Sequence, residues 1–174
     1  MKFIANSTHI LSIFFYSVVL FYATPSHAQF INKKWGVNTM ITPSKKEIEV
    51  SWAVSEKEKR QGLSGLKSEA MKEDEGLLFV YRRMMPLKFW MPNTFFDLDI
   101  IFLDKNFKVV AIETLPHYPG RENPKKIPIT KPYQSQFVLE LHAGMAKKLK
   151  ITKGSQLKWK KALSQKFLNS LGIE

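Results

Sequence analysis

The chain contains no cysteine and little histidine, which removes several common chemistries before any motif is considered. Its 174 residues include 0 Cys and 4 His. Without cysteine there is no disulfide, no thiolate nucleophile and no soft metal ligand. Only His117 and His142 follow residue 28, and they lack a paired-histidine metal spacing. The sequence therefore predicts no metal centre and no cofactor, and stability must come from a hydrophobic core.

Glycine-rich and serine-based catalytic motifs are missing as well. The chain has 8 Gly, and they form no Gly-x-Ser-x-Gly elbow, no phosphate-binding loop and no dinucleotide fingerprint. Serine hydrolases, nucleoside triphosphatases and dehydrogenases therefore lose their usual signatures. These absences favour a noncatalytic protein and leave open an enzyme that works with carboxyl groups alone.

The N-terminus has the three parts of a secretory signal. Lys2 precedes an apolar stretch at 10–22, and Ser26-His27-Ala28 puts small residues at the minus-three and minus-one positions. We expect a signal peptide over 1–28, no stable membrane span after its cleavage, and a periplasmic or secreted protein. The alternative is an uncleaved anchor, since residues 4–22 could nearly span about 30 Å of hydrocarbon.

Negative charge is scarce. The chain has 27 Lys and Arg against 15 Asp and Glu, a formal net charge of +12. In an exported protein this excess favours an envelope glycan, another anionic polymer or lipid head groups as partner, rather than nucleic acid. The alternative is that the lysines only keep the protein soluble. The sequence does not indicate an oligomeric state.

Residues 29–174 have the length of one domain, and short apolar runs separated by Gly, Pro and Asn predict that it is β-rich. We expect a mainly β fold, an antiparallel sandwich or distorted barrel with two or three short helices at its margins. Strands are predicted at 36–42, 47–52, 76–81, 87–91, 96–102, 108–112, 137–141 and 156–160. Helices are predicted at 55–61, 143–149 and 162–171, and an irregular loop at 115–132.

Polar side chains are concentrated within the apolar segment 89–99. Asp97 and Asp99 lie two residues apart on a predicted strand, so both should project from one face. A buried carboxylate is costly unless it is paired, which predicts a partner or solvent for each acid. The alternative is ordinary alternation, with the acids on a wet outer face.

Two more candidates lie elsewhere in the chain. Glu140 is set within the apolar strand 137–141, and Arg60 ends the predicted helix 55–61. If folding brings Arg60 beside Glu140 or Asp99, the result is an anion clamp, an acid and base pair, or a structural ion pair. The residues alone do not choose among these three.

Trp90 and Asn93 could form a sugar-binding platform. The indole would stack on a pyranose face while the amide bonds its hydroxyls. The alternative is that Trp90 belongs to the core.

Several short motifs resemble the domain of unknown function 192 family, a group of small bacterial and archaeal domains. The resemblance covers about residues 46–160, and 89–94 is its most specific part. The motifs are Arg60-x-Gly62-Leu63, Gly76-Leu77-Leu78-Phe79, Phe89-Trp90-Met91-Pro92-Asn93-Thr94 with Asp99, Val138-Leu139-Glu140 with Ala143-Gly144, and Gly154. It implies a single β-rich domain, often exported, with no assigned reaction.

The resemblance also implies which positions belong to the family motif. Pro92 stands where the family usually has Lys, Lys67 is the only basic residue near Leu66, and Asp97 replaces a common Pro. The motif positions carried over are Arg60, Trp90, Asn93, Thr94, Asp99 and Glu140.

These observations lead to three functional hypotheses. The first is a noncatalytic exported module that binds a small polar or glycan-like envelope ligand through those six residues. The second is an envelope hydrolase in which Asp99 and Glu140 act as acid and base. The third is a purely structural ion-pair motif without a ligand.

Overall fold

Alternating apolar residues form one curled, half-barrel sheet of seven strands in the computed structural model, which describes residues 36–173. The strands are β1 (Asn38–Ile41), β2 (Glu47–Ala53), β3 (Glu75–Leu87), β4 (Leu98–Leu103), β5 (Val109–Leu115), β6 (Tyr133–His142) and β7 (Lys158–Trp159). The helices are α1 (Glu56–Gln61), α2 (Met145–Lys148) and α3 (Gln165–Ser170). The predicted mainly β fold is confirmed, and the curled sheet is the distorted barrel of the two alternatives. The predicted signal peptide, 1–28, lies outside the described residues.

An antiparallel sheet was expected, but one pair of its strands is parallel. Its strand order is β5-β4-β6-β3-β2-β1-β7, and β2 pairs with β3 in parallel. The reason is α1, which lies in the crossover between these two strands, since a parallel neighbour cannot be reached by a tight turn. The predicted hairpin of β4 and β5 is present and antiparallel.

Strand β3 continues through 82–86, the residues that separate the strands predicted at 76–81 and 87–91. Its residues 82–86 are two arginines, two methionines and a proline, and all five are exposed. The pairing with β6 shifts register between Val80 and Met85 and then resumes. The strand therefore leaves the core at 82–86, and its pairing with β6 is interrupted by a bulge between Val80 and Met85.

The two faces of the sheet carry separate cores because neighbouring residues of a strand point to opposite sides. On β6, Leu139 and Leu141 belong to a cluster with Trp52 and α2. Val138, which precedes Leu139 and points to the other face, packs with Phe89 and its aromatic neighbours. Strand β6 thus contributes to both cores.

The predicted start and end of α1 are confirmed. The Ser55 hydroxyl accepts a hydrogen bond from the Glu58 amide, and the Glu58 carboxylate accepts one from the Ser55 amide. Gly62 follows the last turn with φ 48° and ψ −133°. The C-terminal helix is shorter than the predicted 162–171, since it begins only after the cap at Ser164.

The loop predicted at 115–132 is held against the segment after β3. Single antiparallel bridges join Trp90 to Ile129 and Thr94 to Tyr118, and the Asn93 backbone amide donates to the Gly120 carbonyl over 2.9 Å.

Within residues 36–173 no helix has the length and apolar character needed to cross a membrane.

Gly76 leaves no room for a side chain where β3 lies against β6. A Cβ there would come within 2.7 Å of Leu141 Cδ2 and 3.1 Å of the Glu140 carbonyl oxygen. We predict that Gly76→Ala lowers the free energy of unfolding by about 1–3 kcal/mol in urea titrations. The control is Gly120→Ala, whose Cβ would have its nearest contacts with the carboxyl group of the exposed Glu122 side chain. Equal stability of the two variants would contradict this packing constraint.

Candidate functional site

A pocket of about 230 Å³ opens between α1, β3 and the segment after β3, and Glu140 lies in its wall. We call it the Glu140 pocket. Four of the six predicted site residues line it, namely Arg60, Trp90, Thr94 and Glu140. Its other side chains include Glu56, Lys59, Phe79, Tyr81, Lys88, Phe89, Met91 and Leu98.

Glu140 supplies a buried carboxyl group to the pocket. It stands opposite Leu77 on β3 and Ile100 on β4, so it shares their apolar face of the sheet. The residue is 5% exposed, and its Oε2 has no hydrogen-bond partner among residues 36–173. Burial disfavours the charged form and raises the pKa of Glu140 to about 8. The group is therefore mainly a neutral acid at pH 7 and can donate a hydrogen bond.

The basic side chains that line the pocket differ in whether they form a salt bridge. Lys59 is held by the Glu56 carboxylate at 2.9 Å, and its ammonium lies 4.5 Å from the centroid of the Tyr81 ring. Arg60 and Lys88 are exposed and form no salt bridge within 4.0 Å in the described part of the chain. Two positive charges outside any salt bridge of the described residues thus face solvent at the pocket, and Arg60 also helps to lower the pKa of Glu56.

Sequence reasoning missed Tyr81, which lies between acidic neighbours. Its pKa is raised to about 12, first by burial and then by the charges of Glu56 and Glu140. The phenol therefore keeps its proton at neutral pH and is available as a donor. The sequence feature that could have identified Tyr81 is the alternation of Leu77, Phe79 and Tyr81. It puts all three side chains on the sheet face that Glu140 shares.

Trp90 is not a core residue. It is 59% exposed and lines the Glu140 pocket beside the exposed Ile129, to which its backbone is bridged. Thr94 is only 4% exposed, and its hydroxyl lies 3.5 Å from the Pro92 carbonyl. The indole therefore offers an open face, while Thr94 belongs to the pocket wall.

Asn93 joins loops and does not line the Glu140 pocket. It adopts φ 54°, and its side-chain amide lies 3.4 Å from the Ser64 hydroxyl. Its backbone carbonyl accepts a hydrogen bond from the Gly65 amide at 2.8 Å. The backbone is left-handed there, a conformation that asparagine tolerates better than most residues. These contacts give Asn93 a role in loop geometry, outside the lining of the Glu140 pocket.

Asp99 lies on the opposite face of the sheet from Glu140. It stands opposite Leu141, and its carboxylate accepts from the Thr114 hydroxyl at 2.6 Å and the Ala146 amide at 2.8 Å. With 2% exposure it anchors α2 from inside the fold. The hypothesis that Asp99 and Glu140 act as an acid and base pair is therefore wrong, because the sheet separates them.

The other predicted arrangements of the acids also change. Asp97 precedes β4 and is exposed, where it binds the His117 amide at 2.8 Å and the His117 ring at 2.6 Å. These bonds lower the pKa of Asp97. The two aspartates do not share a strand face. Arg60 forms no ion pair with Glu140 or Asp99 within 4.0 Å in the described residues, so the proposed structural pair is not formed.

Residues 36–173 contain no cluster of three or more His, Cys, Asp or Glu placed to bind a metal ion.

We predict that Glu140 makes the stability of the protein depend on pH. Its ordinary pKa of 4.5 applies to the unfolded chain and about 8 to the native state, so the native state binds more protons between these values. The free energy of unfolding should fall as pH rises from about 5 to 8, by on the order of 3–5 kcal/mol. Glu140→Gln should remove most of this fall in urea titrations across pH. The exposed Glu49→Gln is the control, and parallel curves for wild type and Glu140→Gln would contradict the buried acid.

Comparison with known proteins places the fold in a family. A structure from Sinorhizobium meliloti 1021, described as a candidate transcription regulator, is 29% identical with TM-score 0.57, over 71% of this chain and 92% of that one. A protein of unknown function from Novosphingobium aromaticivorans is 27% identical with TM-score 0.57, over 71% of this chain and 84% of that one. No curated protein matched significantly. The family model DUF192, described as Uncharacterized ACR, matches residues 39–159. The chain therefore belongs to the domain of unknown function 192 family.

Proposed function

We propose that the protein is a noncatalytic binding module whose Glu140 pocket takes a small sugar acid or a similar polyhydroxylated carboxylate. The observation that carries this proposal is the buried Oε2 of Glu140, which has no hydrogen-bond partner among residues 36–173, in a pocket that Arg60 and Lys88 also line. A buried polar group without a partner is costly, and a ligand hydroxyl or carboxylate would satisfy it.

Because Glu140 is protonated, it would offer the ligand a neutral hydrogen-bond donor and would not add a negative charge to the pocket. With a pKa of about 8, the acid does not repel an anionic ligand at pH 7. Tyr81 adds a second protonated hydroxyl to the same pocket. Two neutral donors beside one another suit a ligand rich in oxygen acceptors.

The charge of the ligand follows from Arg60 and Lys88. Both cations line the Glu140 pocket, and Glu56 is already neutralised by Lys59. Arginine recognises a carboxylate through two parallel hydrogen bonds, which also fixes its orientation. A single carboxylate near Arg60 fits this distribution of charge.

Trp90 supports a ring-shaped ligand. Its indole is 59% exposed and forms part of the pocket lining. An exposed aromatic face that borders a polar pocket provides an apolar platform for the C–H face of a pyranose while the polar groups read its hydroxyls. Thr94 stands in the same wall.

A hydrolase would need a different second carboxyl group from the one first considered. Glu56 lines the pocket with Glu140, and its pKa is lowered chiefly by the hydrogen bond from Lys59. Its side chain is 74% exposed and held by that lysine. This engagement favours a binding role for the pocket over general-base catalysis.

The proposed setting is the periplasm or the outside of the cell, where the signal-like residues 1–28 would direct the chain. Envelope glycans that contain uronic acids would supply the ligand there. DNA binding is not part of the proposal, because α1 and α3 have only six residues each and α2 only four. Elements this short do not fill a major groove as a recognition helix does.

We predict that the wild type binds D-glucuronate saturably in calorimetric titrations at pH 6.5, and D-glucose at least about tenfold more weakly. Arg60→Gln should reduce that preference to about twofold. Trp90→Ala should weaken both ligands, because the stacking surface serves the ring and not the charge.

Two exposed residues outside the pocket provide matched controls. Arg83→Gln and Phe95→Ala remove an exposed cation and a 43%-exposed aromatic side chain, and neither should change affinity. Saturable binding that survives both Arg60→Gln and Trp90→Ala in folded protein would refute the site. Release of free sugar from a glucuronide, lost in Glu56→Gln, would show a hydrolase instead.

A further inference from the structure

A short two-stranded ribbon continues from the mouth of the Glu140 pocket. Its strands are residues 88–91 and 128–131, and we call it the Trp90 ribbon. Trp90 and Ile129 form its antiparallel bridge, with one backbone hydrogen bond on either side, of 2.8 and 3.1 Å. This pattern makes Trp90 and Ile129 a non-hydrogen-bonded pair, the kind in which two facing side chains approach most closely.

The outer face of the Trp90 ribbon carries two apolar side chains and two lysines. Side chains alternate along each strand, so Lys88 lies on the face of Trp90 and Lys131 on the face of Ile129. All four are exposed, Trp90 by 59% and Ile129 by 51%, whereas Phe89 is buried beneath them. The antiparallel register puts both lysines on the same side of the Trp90–Ile129 pair. Like charges that face each other across two strands are unfavourable for the protein alone, and a bound anion would offset their repulsion.

Positive charge prevails around this outer face. Lys88 and Lys131 form no salt bridge within 4.0 Å among residues 36–173. The neighbouring acid Glu113 accepts a hydrogen bond from the backbone amide of Lys131 at 3.0 Å and does not pair with its ammonium. The segment 115–132, which supplies the second strand of the ribbon, contains four basic residues and one acid. The charge of the ribbon is therefore complementary to an anion.

Only half of the outer face belongs to the Glu140 pocket. Lys88 and Trp90 line the pocket, while Ile129 and Lys131 lie outside its lining. A ligand that ends within the pocket would leave the second strand of the ribbon uncovered. A chain that leaves the pocket across the indole would meet an apolar side chain and then a cation. Sugar rings that carry carboxylates present the matching groups, an apolar C–H face and an anion on each unit.

We infer that the ligand is a chain of linked uronic acids, with one sugar in the Glu140 pocket and the next on the Trp90 ribbon, where its carboxylate contacts Lys131. This inference rests on the proposed function, because the first sugar occupies the Glu140 pocket. A free sugar acid would use the pocket alone. A linked second sugar adds its contacts intramolecularly, which raises the affinity of the chain above that of the single sugar.

The test compares D-glucuronate with a glucuronate tetramer that is linked as in cellulose, in calorimetric titrations of the wild type at pH 6.5. The tetramer should bind at least about tenfold more tightly than the monomer. Cellotetraose has the same linkage and no carboxylates, and it should bind at least about tenfold more weakly than the charged tetramer.

Variants of Lys131 separate the ribbon from the pocket. Lys131→Gln should weaken the tetramer about threefold and leave the monomer unchanged, because Lys131 is exposed and lies outside the pocket lining. Lys131→Glu should weaken the tetramer at least about tenfold, since it replaces attraction by repulsion. Lys46→Gln and Lys46→Glu are the matched controls, at an exposed lysine between β1 and β2, and should change neither affinity.

The monomer distinguishes failure of this inference from failure of the proposed function. If the monomer binds but the tetramer binds no more tightly, or binds Lys131→Glu as well as the wild type, the inference is overturned and the proposed function stands. If neither ligand binds, both are overturned. Association with phosphatidylglycerol vesicles that is lost in Lys131→Glu, without binding of the tetramer, would assign the ribbon to a membrane surface and overturn the inference.

Discussion

The register between β4 and β6 determines to which face of the sheet each polar side chain of these strands points. Glu140 stands opposite Ile100, and Asp99 stands opposite Leu141, so the two acids project to different faces although their strands are neighbours. A shift of β6 by one residue would put Glu140 on the same face as Asp99. The cores on the two sides, the anchoring of α2 by Asp99 and the buried acid of the Glu140 pocket all follow from that register.

The two buried acids, Asp99 and Glu140, differ in the hydrogen bonds that the protein offers them. Asp99 accepts hydrogen bonds from a hydroxyl and a backbone amide, which compensate its burial and make it a structural anchor. Glu140 has no partner for Oε2 among the described residues and faces apolar neighbours, so burial raises its pKa to about 8. Asp99 has its partners within the protein and serves as an anchor, whereas under the proposed function the Oε2 of Glu140 would bond to the ligand.

Local patterns anticipated much of the fold. The capping box and Gly62 delimit α1 as expected, because both act within a few residues. The parallel pairing of β2 with β3 was not anticipated, since pairing partners are chosen by the crossover and not by alternation. Of the six predicted site residues, four line one pocket, Asn93 shapes the loops behind it, and Asp99 is on the far face.

The sequence by itself determined the periodicity of the strands, the start of α1, the excess of positive charge and the lack of thiol chemistry. These are properties of residue types and of short separations along the chain. Only the tertiary structure decided that Arg60, Trp90 and Glu140 share a pocket, that Tyr81 joins them, and that Asp99 does not. The physical reason is that strand register and desolvation depend on contacts between distant segments, which local patterns do not encode.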